Sequence, residues 1–510
     1  MLNRRQFLKT ASVAGIACLS GCSFPKYAAD SIETMRPNIV YILADDLGYG
    51  DVSCLNENSK LKTTALDKLA KEGMIFTDAH SNSAVCTPTR YGILTGRYCW
   101  RTSLKRGVLG GESRHLIEPE RLTVASMLKD SGYDCACIGK WHLGFDWKWK
   151  DEKTKEIDYR KPIENGPIQN GFDYFFGIPA SLDMAPYVYV ENDRVTAAPD
   201  RIVDAQEGKQ FYRQGQTGAD FKHIEVLSKL TEKGVSYIEG RAESKSPFFL
   251  YFALTAPHTP ILPTDEFRGK SKTSAYGDFV LQVDWTVKQV MEALKRNGME
   301  GNTLVIFTSD NGCSPMADFK ELESFGHNPS YVYRGYKADI YEGGHRVPFI
   351  ARWPEKIKAN SVCDDTVCLT DLMATAAEIT GQKLPDNAGE DSVSILPDLL
   401  QTATEPVREA TVHHSINGSF SIRQGKWKLE LCPGSGGWSD PRPDSEKVKT
   451  LPPVQLYDLS KDVSEKNNVY QDYPEVVERL KKLLQGYVDK GRSTPGKLQE
   501  NHGKVSIVNL

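Results

Sequence analysis

Asn38-Ile39-Val40-Tyr41-Ile42-Leu43-Ala44-Asp45-Asp46 is the stretch from which the fold is read. Its apolar residues run without polar interruption, are rich in β-branched types and stop abruptly at two carboxylates. Such a run suits a strand covered on both faces, as in parallel sheets flanked by helices, rather than the alternating pattern of a half-exposed strand. The pattern recurs. Residues 133–138 end in Gly139-Lys140-Trp141-His142, residues 248–254 end in Thr255-Ala256-Pro257-His258, and residues 304–307 end in Thr308-Ser309-Asp310-Asn311-Gly312. Helical stretches at 121–131 and 279–296 lie between these runs, which makes the chain α/β with a mostly parallel sheet. Ligands in such sheets bind outside the carboxyl ends of the strands, so these four ends are expected to converge on one site.

The rest of the composition agrees with a large folded protein. The chain has 510 residues, 40% hydrophobic and 25% charged, too much for one ordinary core, and predicts a large unit plus a smaller one. A formal charge of −4 provides no basic stripe, so nucleic acid is not expected as a partner. Residues 1–22 read as an export signal: Arg4-Arg5 with Gln6-Phe7-Leu8-Lys9 resembles a twin-arginine motif, and Leu19-Ser20-Gly21-Cys22 resembles a lipobox ending at Cys22. Export to the periplasm or cell surface with a lipid anchor follows as an expectation, with 23–35 as a tether. Membrane contact would come through that anchor.

Asp45, Asp46, Asp310 and Asn311 offer only oxygen donors, which favours Ca²⁺, and Mg²⁺ less, over zinc. Standing alone, Asp45-Asp46 would read equally as a helix cap and turn. The second acidic strand end at Asp310-Asn311-Gly312 tips the balance. Lys140, His142 and His258 add cationic or protonatable groups beside this cluster, so the ligand is expected to be an anion. The segment Ser83-Ala84-Val85-Cys86-Thr87-Pro88-Thr89-Arg90, continuing to Gly96-Arg97, places Pro88 in the first turn of a helix that stops at Gly96. Cys86 then stands at the helix N-terminus with Arg90 one turn on, which reads as a reactive thiolate. A soft thiolate fits poorly among hard oxygen ligands.

Cys86-Thr87-Pro88-Thr89-Arg90 with Leu94-Thr95-Gly96-Arg97 resembles the signature of the formylglycine-dependent sulfatases, in which this cysteine is oxidised to an aldehyde. The resemblance extends through Pro37-Asn38-Ile39, Asp45-Asp46-Leu47-Gly48, Gly139 to Gly144, Pro257-His258, Ser309 to Gly312, and Lys337 to Pro348. It implies an alkaline-phosphatase-like fold: a large mixed, mostly parallel sheet sandwiched by helices over 36–405, and a smaller C-terminal antiparallel sheet plus helix over 406–510. It also implies Ca²⁺ bound by Asp45, Asp46, Asp310, Asn311 and an oxygen of the converted Cys86. Arg90 and Lys140 would hold the nucleophile and sulfate, His258 with Lys337 would protonate the leaving alcohol, and His142 would deprotonate the second hydroxyl of the hydrated aldehyde. A formylglycine-forming maturation enzyme is the implied partner. The substrate would be a sulfated glycan, with some likeness to 6-sulfatases of galactose or N-acetylgalactosamine. A phosphonate monoester hydrolase or phosphodiesterase shares the fold, and an unconverted Cys86 would leave a glycan-binding protein without catalysis.

Four further expectations complete the reading. Asp183, after a strand, reaches toward a sugar pocket or serves a turn. His345 is structural. The stretch 147–170, with Trp147 and Trp149, is a solvated loop near the substrate mouth. Among eleven cysteines, Cys363 with Cys368 is the nearest pair for a disulfide, and Cys135 and Cys137 share a strand face without bridge geometry.

Overall fold

The computed structural model describes residues 36–151 and 153–508, so the signal, tether and Cys22 readings lie outside the described residues. Asn38–Asp45 forms the centre of a ten-stranded sheet. Its side chains alternate between two cores: Ile39, Tyr41 and Leu43 enter one, Val40, Ile42 and Ala44 the other. This two-sided burial is why the run carries no polar alternation. Hydrogen bonding orders the sheet as Ser361–Cys363, Met74–Phe76, Phe349–Arg352, Thr303–Ser309, Asn38–Asp45, Phe248–Pro257, Asp134–Lys140, Tyr174–Ile178, Val190–Glu191 and Arg194–Val195.

The strands from Thr303–Ser309 to Tyr174–Ile178 in this order are parallel neighbours; Phe349–Arg352 and Val190–Glu191 join them antiparallel. The sheet is therefore mixed but parallel at its heart. One face is covered by Thr64–Lys71, Val226–Glu239 and Ala275–Arg296, whose Leu66, Leu230 and Val283 join the core of Val40. Cys86–Thr95, Val124–Asp130 and Leu372–Ile379 cover the other through Leu94, Leu128 and Met373.

The register decides where the site forms. Leu43 pairs with Ala253 and Thr308, Ala44 with Ser309, and Ala253 with Gly139. The carboxyl ends at Asp45, Lys140, His258 and Asp310 therefore leave the sheet at one edge.

Four antiparallel strands, Thr411–His414, Phe420–Gln424, Trp427–Glu430 and Gln455–Asp458, make a second sheet. Pro474–Asp489 packs on it through Leu480, Leu484 and Val488, in a core shared with Val412, Ile422 and Leu456. Lys428 ties this sheet to the larger unit: its buried ammonium lies 2.6 Å from Glu465, 3.2 Å from Glu342 and 3.3 Å from Glu430.

Two expectations are corrected here. Cys363 and Cys368 are both free, as are the other described cysteines, and Cys368 is buried while Cys363 is half-buried. Cys135 and Cys137 do face the same core. The stretch 147–170 is more ordered than a solvated loop. Trp149–Asp151 pairs with Glu156–Ile157, and Trp147 is buried against Phe145 and Tyr159 with its indole N–H donated to Gly111 O at 3.0 Å. An indole so engaged is not available for stacking on a sugar. No helix among the described residues is long and apolar enough to cross a membrane.

Candidate active site

Cys86 is the first residue of the helix Cys86–Thr95, which ends at Gly96 in the left-handed region (φ 62°). This helix runs fully buried beneath the strand ends, and Arg90, one turn in, is the charge it delivers. The Arg90 guanidinium donates from Nη2 and Nε to Asp310 Oδ2 at 2.8 and 3.1 Å and from Nη1 to Lys140 O at 3.1 Å. Lys140 Nζ donates to both oxygens of Asp45 at 2.9 and 2.8 Å. Lys337 Nζ donates to the Asp46 carboxylate at 2.7 Å, and His258 Nε2 lies 3.6 Å from Asp46 Oδ2. Asn311 Nδ2 donates to Asp46 Oδ1 at 2.7 Å, while the Asp46 backbone N–H donates to Asp310 Oδ1 at 3.2 Å.

Asp45, Asp46, Asp310, Asn311, Cys86, Arg90, Lys140, His258 and Lys337 are thus one buried cluster, assembled from four strand ends, one helix and the 337–345 segment. Two close approaches make the assembly possible. Gly139 has φ 119°, and a Cβ there would stand 1.7 Å from Ala253 O. At Gly312 a Cβ would stand 1.9 Å from Gly343 O, where the Asp310-Asn311 turn presses on the 342–344 segment. Only glycine fits such contacts. Asp46 and His142 also adopt left-handed backbone (φ 66° and 58°), which turns each chain sharply after its strand.

The electrostatics are unbalanced in a way that bears on a cation. Against its burial, Lys140, His258 and Arg90 hold the Asp45 carboxyl well below the usual range. Burial and the neighbouring Asp45 push Asp310 up to about 6 despite Arg90. Asn311 Oδ1 is buried without any hydrogen-bond partner. An orphaned carboxamide oxygen beside three crowded carboxylates fits a hard divalent cation, which takes such oxygens as ligands. Asp45, Asp46 and His258 present ligand atoms within 4.8 Å of one another.

Burial pushes the Cys86 thiol up, even though Lys140 and Lys337 act on it in the opposite sense. This corrects the reading of a free thiolate: burial, with Asp310 and Asp45, outweighs the two lysines. An unmodified thiol here is a poor nucleophile.

His142 donates from Nε2 to Leu109 O at 2.7 Å, since a carbonyl can only accept. Burial, Lys140 and Arg90 hold this imidazole well below its ordinary value, so it is neutral and Nδ1 keeps its lone pair, 3.5 Å from Ser181 Oγ. His258 is fixed the other way, with Nδ1 donating to Thr259 O at 2.6 Å and Nε2 turned to Asp46.

Asp183 is held differently. Its carboxylate pairs with the exposed Arg213, its Oδ1 has no partner, and it is only 4% exposed. His345 lies buried away from the cluster, 3.0 Å from His80 and stacked on His413.

The sequence reading missed Tyr276, Asp51 and Ser309. Tyr276 Oη donates to Asp51 Oδ2 at 2.5 Å and to Asp46 O at 3.3 Å, and Ser309 Oγ accepts from Leu47 N at 3.0 Å. They hold the backbone around Asp46 from behind. A tyrosine on an amphipathic helix carries no local mark of that role.

The sulfatase family model matches residues 37–382. An N-acetylgalactosamine-6-O-sulfatase of Bacteroides thetaiotaomicron is 35% identical, over 92% of this chain and 97% of its own length. The rat (Rattus norvegicus) N-acetylgalactosamine-6-sulfatase is 30% identical over 79% of this chain and 73% of its own. Among solved structures, a Bacteroides thetaiotaomicron chain described in connection with the metabolism of multiple glycosaminoglycans superposes with TM-score 0.77 and 36% identity, covering 89% of this chain and 99% of that one.

Proposed function

We propose, from the premise that this chain belongs to the sulfatase family, that it removes sulfate from position 6 of an N-acetylgalactosamine or galactose residue in a sulfated glycan. The sugar is argued from the relatives, two of which are named for N-acetylgalactosamine-6-sulfate hydrolysis. The chemistry rests on one feature of the site: an all-oxygen donor set with the unpartnered Asn311 Oδ1 beside a buried cysteine at a helix start.

Asp45, Asp46, Asp310 and Asn311, with an oxygen on residue 86, would hold Ca²⁺, which would offset negative charge on the sulfate oxygens. With Cys86 converted to formylglycine by a maturation enzyme, the hydrated aldehyde supplies two hydroxyls, one to attack sulfur and one whose deprotonation releases sulfate. Arg90 fixes the hydroxyl that attacks. Lys140 and Lys337, held by Asp45 and Asp46, stabilise charge on the equatorial oxygens as the ester bond breaks. His258, in its imidazolium form, donates the proton on Nε2, which faces the cluster, to the departing alkoxide and is left as the Nδ1–H tautomer. His142 Nδ1, unprotonated and within reach of only the Ser181 hydroxyl at 3.5 Å, accepts the proton from the second hydroxyl. A plain thiol or serine has no second hydroxyl to give. Asp183, with Arg213, contacts the sugar.

Residues 36–405 form the catalytic unit in this reading, and 406–510 the C-terminal subdomain. The chain is exported and carries a lipid on Cys22.

The decisive experiment assays the purified protein on defined 6-sulfated and 4-sulfated N-acetylgalactosamine and galactose, on an aryl sulfate and on an aryl phosphate diester. Selective release from the 6-sulfated sugars supports the reading; preference for the diester overturns it. Mass spectrometry of the Cys86 peptide runs alongside, because conversion replaces CH₂SH by CHO. A wholly unconverted protein that still binds the sugar would be a glycan-binding protein. Cys86→Ala is expected to abolish turnover and leave the fold intact.

A further inference from the structure

We propose that Cys363 Sγ and the carboxylates of Asp365 and Asp398 form a second cation site, of the class that takes Zn²⁺, at the edge of the main sheet. The three ligand atoms lie within 4.8 Å of one another. Cys363 ends the edge strand Ser361–Cys363, Asp365 follows two residues later, and Asp398 projects from the short helix Leu396–Leu399. None of the three belongs to the cluster around Cys86.

Asp398 is the observation that points to a ligand. It is 4% exposed, and neither of its carboxylate oxygens receives an N–H or hydroxyl donor; the Asp365 carboxyl is its polar neighbour. A buried carboxylate without a donor is costly unless something positive stands beside it. Because Cys363 is free rather than in a disulfide, its sulfur is open to a metal.

The donor set selects the ion. One sulfur with two carboxylates is a mixed soft and hard set, which suits Zn²⁺ and not Ca²⁺ or Mg²⁺. Half-buried Cys363 and Asp365 leave room for water as a fourth ligand. Binding would release the thiol proton and any proton on the carboxyl pair, and would pin the edge strand to the helix that carries Asp398.

The test uses the full chain with saturating Ca²⁺. Titration with ZnCl₂ should show uptake of Zn²⁺ at one site per chain, with proton release and a raised melting temperature. Co²⁺ in its place should give a thiolate-to-metal charge-transfer band. Cys363→Ser should abolish that band, and both Cys363→Ser and Asp398→Asn should weaken Zn²⁺ binding by more than the roughly 10–100-fold that a change outside the ligand shell costs. Sulfate-ester turnover in Ca²⁺ should not change in either variant. No stoichiometric uptake by the wild type, or uptake unaltered in both variants, would overturn the proposal. Should Asp398→Asn fail to fold, the near-isosteric Cys363→Ser decides alone.

Discussion

Two imidazoles at the site are locked in opposite tautomers by main-chain carbonyls. Leu109 O takes the Nε2 proton of His142, and Thr259 O takes the Nδ1 proton of His258. The nitrogens left facing the site are therefore Nδ1 of His142 and Nε2 of His258; the first accepts a proton as it stands, and the second can give one only from the doubly protonated ring. The assignment makes a kinetic prediction. If His258 protonates the leaving oxygen, His258→Gln should lower kcat/KM on a sugar sulfate by about 10²–10⁴-fold. On an aryl sulfate, whose phenolate leaves without help, the loss should be far smaller. Equal losses on both substrates would remove His258 from that role. The types and positions of these histidines were legible in the sequence, because each follows an apolar strand. Their tautomers were not, since the carbonyls that set them come from elsewhere in the fold or from the local bend of the chain.

At the scale of elements, the site depends on strands approaching more closely than side chains allow. Gly139 lies against Ala253 O, between the strand that delivers Lys140 and the strand that leads to His258. Gly139→Ala should part these strands and cost about 1–3 kcal/mol through overpacking, besides the strain of its positive φ. Activity should fall further than the lost folded fraction explains, because Lys140 moves with the strand. Gly298→Ala is the control: its φ is 65°, but a Cβ there meets nothing within 4 Å. That variant should lose only about 1–2 kcal/mol of backbone preference and keep full turnover. Urea unfolding and kcat on the same preparations separate the two outcomes. The long, doubly buried strands were readable from their unbroken apolar runs. Met74–Phe76, Phe349–Arg352 and Ser361–Cys363 were not, since three or four residues give no period, and their pairing is set by neighbours far along the chain.

Across the whole molecule, buried ionisable groups tie the two sheets together and set the response to acid. His414, in the first strand of the C-terminal sheet, is buried against Phe420, and burial lowers its pKa to about 4. The folded state therefore binds this proton less readily than the unfolded chain, whose histidine titrates near 6.5. The resulting stability is complete above about pH 6.5 and is lost as pH falls toward 4, about 3 kcal/mol from this group. His80, His142, His345 and His413 are also shifted downward by burial. Denaturant unfolding at pH 7 and pH 4.5 should show His414→Gln losing about 2–3 kcal/mol less than the wild type over that interval. An identical pH dependence would mean that His414 is solvated in solution.

The chain by itself determined the sheet's central strands, the helix that begins at Cys86, and the chemical types gathered at the strand ends. Those features are written in local runs and spacings, and the parallel α/β architecture then leaves few places for the polar ends to go. Tertiary structure alone decided the balance among them. Burial raised the Cys86 thiol that its helix end should have lowered, turned Trp147 inward, and left Cys363 and Cys368 unpaired. It also left Asn311 Oδ1 and the Asp398 carboxylate without an N–H or hydroxyl donor. Each of these outcomes depends on which distant parts of the chain pack around the residue, and that is not a property of its neighbours in sequence.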